Sequence, residues 1–257
     1  MKIVRFRTED KKLHWGVLDI ENQIVIPIKG NVFENFEFED RSFKMDSIYI
    51  LPPVIPSKVV CVGLNYRDHA EELKMPIPEE PILFLKPPTT VIGHNDTIVA
   101  PEFCKRVDYE AELGVVISKV CKNVSVDEAR ECILGYTCLN DVTERYYQNK
   151  DGQWTRAKSF DTFCPIGPWI ETETDWRGLG IRAYLNGQLK QNSTTNNMIF
   201  GVEEIISFVS KIMTLFPGDV IATGTPPGVG EMKDNDEIVI EIDGIGALKN
   251  YFSKRPL

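Results

Sequence analysis

The chain opens with three short segments in which apolar and polar residues alternate, Lys2 to Arg7, His14 to Asp19 and Gln23 to Ile28, separated by polar turns. Side chains on an extended strand point to opposite faces in turn, so this pattern predicts a small β-rich N-terminal unit. Leu51-Pro52-Pro53-Val54-Ile55-Pro56 follows. A segment so dense in proline cannot be helical and reads as an extended connector. We therefore expect two units, residues 1–56 and 57–257.

Beyond the connector, strands are predicted at Lys58 to Val62, Pro81 to Lys86, Gly135 to Leu139, Ile181 to Leu185, Asp236 to Ile242 and Ala247 to Phe252. Asn186-Gly187, after the fourth of these, is a strong two-residue hairpin signal. Helical patterns are fewer. Arg67 to Lys74 has Asp68 as its expected cap, and Val126 to Cys132 opens on a capping box formed by Ser125 and Glu128. Thr143 to Gln148 is polar and helical, while Val202 to Met213 carries the clearest amphipathic stripe. Strands outnumber helices, which gives an α+β fold that is mostly β.

Composition narrows the partners. Hydrophobic content of 42% and charged content of 26% are those of a soluble globular protein. A net charge of -9 argues against nucleic acid or an anionic membrane surface, both of which call for a basic face. No apolar run reaches bilayer length and Met1 to Arg7 lacks the core of a signal peptide, so a cytoplasmic location is expected. Six cysteines without a Cys-x-x-Cys pair are expected to be reduced, buried small hydrophobes. Three histidines are too few for a His-rich transition-metal site.

The most informative stretch is Asp108-Tyr109-Glu110-Ala111-Glu112-Leu113-Gly114-Val115-Val116-Ile117, read as one strand. Glu110 and Glu112 then share a face, roughly 7 Å apart along the backbone. Two carboxylates so placed repel, and burial would raise the pKa of one unless a cation sits between them. Hard divalent ions take such oxygen ligands. An exposed strand edge carrying acidic residues at period two is the ordinary alternative. Asp141, where a strand runs into Asn140-Asp141, is a candidate third ligand or simply a turn residue. His69 and Glu72, three apart on a short helix, face the same way and form either a general-base pair or a surface ion pair. Lys158 lies among aromatic and small residues, an unusual setting for lysine. The glycine-rich run Thr223 to Gly230 is no P-loop, since no Gly-Lys-Ser/Thr follows, but its amides could approach a carboxylate.

Six segments together resemble the fumarylacetoacetate hydrolase family: Val62 to His69, Leu83 to Pro87, Tyr109 to Gly114, Asn140 to Arg145, Ala157 to Asp161 and Thr223 to Gly230. Their order and approximate spacing agree as well. The resemblance implies a mixed β-sheet roll, a homodimer, and Mg²⁺ or Mn²⁺ held by Glu110, Glu112 and Asp141. It also implies a catalytic Lys158, a His69–Glu72 dyad on a lid, and substrate contacts from Gln148 and Thr225, with Lys86 and Arg145 as further substrate-binding residues. The expected substrates are small 2-oxo or 2,4-dioxo acids. The activity expected first is metal-dependent hydrolysis of a carbon–carbon bond in acylpyruvate- or fumarylpyruvate-like acids, through an enolate stabilised at the ion. An oxaloacetate decarboxylase or tautomerase, or the 2-hydroxyhepta-2,4-diene-1,7-dioate isomerase of aromatic catabolism, is the alternative. A catalytically silent metal-binding module is the non-enzyme alternative.

Overall fold

The structure, a computed structural model, describes residues 1–255. Among them three sheets form. The main path of the largest, a 13-stranded sheet, starts in the N-terminal unit at Phe36–Phe38, Ile24–Gly30, Leu13–Asp19 and Lys2–Arg7. It continues through Cys164–Glu171, Ile133–Asn140, Ala111–Ile117, Val220–Ala222, Val59–Gly63 and Ile82–Lys86. Neighbours on this path are antiparallel except Val220–Ala222 beside Val59–Gly63, so the sheet is mixed. The two units expected on either side of residue 56 thus share one sheet. Lys2 and Ile3 pair with Glu171 and Ile170, and the Lys2 ammonium reaches Glu171 at 2.7 Å.

Ala111–Ile117 is buried along its whole length. Its alternation puts Leu113, Val115 and Ile117 into one apolar cluster and Val116 into another, which also holds Val59, Leu139, Ile170 and Val220. Each such side chain contributes about 1.5–3 kcal/mol on leaving water. The strand therefore stands between two packed layers, and groups at its N-terminal end sit on a rigid support.

A five-stranded sheet joins Thr97–Pro101, Gly246–Arg255, Glu237–Ile242, Gly180–Leu185 and Gln188–Thr194. Its hairpin turns at Asn186 and Gly187, both at positive φ, as the Asn-Gly pair predicts. The third sheet, of Thr143–Glu144, Val107–Tyr109 and Gly230–Glu231, lies beside the candidate site. The fold is α+β and mostly β.

The helices are α1 (Arg67–Leu73), α2 (Val126–Ala129), α3 (Arg145–Asp151), α4 (Thr155–Lys158) and α5 (Val202–Ile212). None of them is long and apolar enough to cross a membrane. The Ser125–Glu128 capping box forms as expected.

Four expectations are corrected. The acidic stretch is not one strand: it breaks at Glu110, where the chain leaves the three-stranded sheet for the large one. Asp68 does not cap α1; its carboxylate accepts from Ser193 Oγ and Asn197 Nδ2, tying the helix to the neighbouring hairpin. Thr143 and Glu144 are a short strand rather than the start of a helix, and the Glu144 carboxylate caps α3 by accepting from Tyr147 N–H. Finally, Cys121 and Cys132 are bonded, with Cα atoms 6.5 Å apart. The turn through α2 folds the chain back, so that Ser118 N–H donates to the Cys132 carbonyl and the two thiols meet. Cys61, Cys104, Cys138 and Cys164 are free and buried, as expected of all six.

Candidate metal centre and its cleft

Glu110, Glu112 and Asp141 converge, each offering an oxygen within 4.8 Å of the others, and all three are buried. Backbone geometry places them. At the break between sheets, Glu110 N–H donates to Asn140 Oδ1 at 3.0 Å rather than to a strand neighbour, and its carbonyl accepts from Asp141 N–H at 2.9 Å. Asn140 and Asp141 at the end of their strand are thereby stitched to the break.

Cations surround two of the three acids. Lys158, at the end of α4 and almost fully buried, lies 2.9 Å from Glu110 and 2.6 Å from Asp141. Arg145 Nη2 sits 2.6 Å from Glu110 Oε1, within ion-pairing reach but off the line of a hydrogen bond. Burial works against the Glu110 charge, yet Lys158 and Arg145 outweigh it and draw its carboxyl down to about 2. Burial likewise opposes the Lys158 charge, but Asp141 and Glu110 prevail and hold its ammonium above the ordinary value.

Glu112 differs. Among the described residues no cationic side chain pairs with it, and it accepts from Gly224 N–H at 2.8 Å. Burial first, then Asp141 and Glu110, push its carboxyl well above the usual range. Gly224 makes the contact possible: its φ of +96° is a left-handed conformation, and a Cβ there would stand 2.7 Å from Asn65 Cβ. A buried carboxylate with carboxylate neighbours and no cation of its own fits a bound ion. The donor set, all oxygen, suits a hard divalent cation.

The triad forms part of the lining of a cleft of about 530 Å³ that also takes in His69, Arg145, Gln148, Lys158 and Thr225. His69 Nδ1 meets Glu72 Oε2 at 2.8 Å, so the expected dyad forms. The other oxygen of Glu72 accepts from Gly228 N–H at 3.2 Å, pinning α1 to the glycine-rich loop. Arg145 is fixed by Asp108 at 2.9 Å and donates to Gln148 Oε1 at 2.9 Å. Thr225 Oγ1 accepts from Gln191 Nε2, whose own carbonyl accepts from Ala111 N–H.

Lys86 is the residue the structure sets apart from its expected role. It is fully buried, lies outside the cleft lining, and donates to Asp141 and to the Val142 carbonyl. The family resemblance implied a substrate contact; the inward-pointing side chain is instead a support for Asp141.

Three residues were not foreseen. Asp108 anchors both Arg106 and Arg145, and strand alternation does place it on the face of Glu110 and Glu112. Asn140 orients Glu110, and Gln191 links the acidic segment to the glycine-rich loop; neither carries a local signal in the sequence.

Residues 58–253 match the family described as "Fumarylacetoacetate (FAA) hydrolase C-terminal", and residues 1–53 match "Rv2993c-like, N-terminal". A mitochondrial oxaloacetate tautomerase of Xenopus laevis is 45% identical over 79% of this chain and 68% of its own. The crystal structure of a 2-hydroxyhepta-2,4-diene-1,7-dioate isomerase from Mycobacterium marinum is 41% identical, with a TM-score of 0.92 over 99% of both chains. A maleylpyruvate hydrolase from Sphingobium sp. SYK-6, solved with manganese(II) and pyruvate, is 27% identical, with a TM-score of 0.82 over 99% of both chains. The chain belongs to the fumarylacetoacetate hydrolase family, whose enzymes bind a divalent metal.

Proposed function

We propose that the protein is a divalent-metal-dependent hydrolase that cleaves a carbon–carbon bond in 2,4-dioxo acids of the acylpyruvate or fumarylpyruvate kind. One observation carries this reading: His69, paired with Glu72, lines the same cleft as Glu110, Glu112 and Asp141. The triad would hold Mg²⁺ or Mn²⁺, which when bound supplies Lewis-acid polarisation of a 2-oxo acid's ketone and carboxylate.

The chain's own side chains perform the remaining tasks. Glu72 occupies His69 Nδ1 and leaves Nε2 to take a proton from water, whose oxygen attacks the distal carbonyl. The bond between C3 and C4 breaks, the acyl group leaves as a carboxylic acid, and the proton is returned to C3 to give a pyruvyl product. Lys158, kept charged by its two carboxylates, would set its positive charge beside the oxygen on which negative charge develops. Arg145, Gln148 and Thr225, held by their hydrogen bonds, orient the substrate. Lys86 acts as a positioning residue through Asp141. The homodimer, which rests on the family resemblance, and the cytoplasmic location, expected from the sequence, belong to the same reading.

Assay of acylpyruvates with and without EDTA, and with Glu110→Ala, tests the reading. Turnover is expected to vanish in both cases; unimpaired turnover in metal-free protein removes the mechanism. A second reading, an oxaloacetate decarboxylase or tautomerase or a diene-dioate isomerase, is favoured by the activities named for two relatives. Product analysis on a substrate panel separates these, and a silent binding module predicts ion uptake with no turnover of any 2-oxo acid.

A further inference from the structure

One wall of the cleft has no part in the chemistry above. Phe84 begins it: the Lys158 ammonium lies 5.0 Å from the centre of its ring, so this wall starts beside the ion site. Trp154 meets Phe84 edge-on at 5.3 Å. Gly63 permits that packing, because a Cβ there would stand 2.6 Å from the indole ring. Ile82, next to Gly63 across the strand pair, then Leu64, and Leu73 and Met75 at the end of α1 extend the wall outward. Leu73, Met75 and Ile82 are 48%, 50% and 44% exposed, whereas the side chains of both core layers are closed to water. Half-exposed apolar side chains contiguous with a polar catalytic floor mark a surface that a ligand's apolar part can cover.

The side chains of this wall, Phe84, Trp154, Ile82, Leu64, Leu73 and Met75, are all uncharged. A second carboxylate at the far end of a substrate lying along it would rest against apolar groups, where an unpaired charge is costly.

We infer that the substrate is a 2-oxo acid with a single carboxylate and an uncharged, apolar distal chain, which packs on Phe84, Trp154, Ile82 and the apolar end of α1. This rests on the function proposed above and separates the chain from relatives named for dicarboxylates, the diene-dioate isomerase and the oxaloacetate tautomerase.

Calorimetric titration of the Mg²⁺-loaded and metal-free protein with pyruvate, 2-oxohexanoate and 2-oxoadipate tests it. Each fully buried methylene strengthens binding by a factor of about four, and half-burial of three carbons gives about tenfold. The loaded protein is expected to bind 2-oxohexanoate about tenfold more tightly than pyruvate and 2-oxoadipate no more tightly than pyruvate. Met75→Arg, at a position open enough for the longer side chain, is expected to raise the affinity for 2-oxoadipate relative to 2-oxohexanoate. Equal binding of 2-oxohexanoate and pyruvate, preference for 2-oxoadipate, or an unchanged ratio in the variant overturns the inference. Metal-independent binding of all three overturns instead the function on which it rests.

Discussion

The floor of the cleft and helix α1 beside it use ionisable groups differently. On the floor, Lys86, Lys158, Glu110 and Asp141 are closed to water, and Lys158, Glu110 and Asp141 each have more than one charged partner. On α1, His69 meets Glu72 in a single 2.8 Å contact, and the Glu72 side chain is 43% exposed. Buried charges are expensive to leave unpaired, whereas a pair with one partner in water contributes little. The floor therefore sets geometry that the rest of the fold must support, while the pair on α1 adds little to stability.

The largest effect that would test this contrast is expected for Asp141→Ala. It strips Lys86 of its carboxylate partner in a fully buried position, and urea unfolding should show a loss of about 3–5 kcal/mol. Adding Lys86→Met should restore part of that loss, because the stranded charge goes with it; a double variant less stable than Asp141→Ala contradicts the pairing. Lys158→Ala should lower kcat by about 10²–10³-fold in steady-state assays. It should destabilise less than Asp141→Ala, since Glu110 keeps Arg145 and Asp141 keeps Lys86.

On α1, Glu72→Gln should cost about 10²-fold in kcat, while unfolding free energy stays within about 0.5 kcal/mol of the parent. A large stability loss there would erase the distinction between the two regions. The smallest effect is the pH dependence of Glu112. Its raised carboxyl binds a proton in the folded state that the unfolded chain has already released, so this group's contribution to metal-free stability falls as pH rises above the ordinary carboxylate range. Ion binding must displace that proton, so affinity should rise with pH over the same interval. Calorimetry in buffers of different ionisation enthalpy should detect the proton released.

Much of the floor is legible in the sequence because strand alternation is a two-state code. It pairs Glu110 with Glu112 whatever the sheet order, and the strand ending in Asn140-Asp141 delivers a third acid to the same end of the sheet. What alternation cannot show is the break at Glu110, since the residue that redirects its N–H, Asn140, lies thirty positions away. Lys86 illustrates the same limit: its carboxylate partner, Asp141, lies 55 positions away, and nothing in the strand pattern joins the two. The Cys121–Cys132 bond depends on a chain reversal through α2 that no cysteine motif announces. Helix α1 was readable as a helix with a same-face pair, but its attachment through Glu72 to Gly228 joins residues 156 positions apart.

The central claim is that the three buried acids bind one hard divalent ion. Titration of the purified protein with Mn²⁺, followed by the loss of the free ion's electron paramagnetic resonance signal, tests it without reference to turnover. Wild-type protein should take up one ion per chain, Mg²⁺ should displace it, and Glu112→Gln should bind far more weakly while remaining folded. Uptake by Glu112→Gln with unchanged stoichiometry and affinity would contradict the account, because the acid that no cationic side chain pairs among the described residues would then have no part in holding the ion.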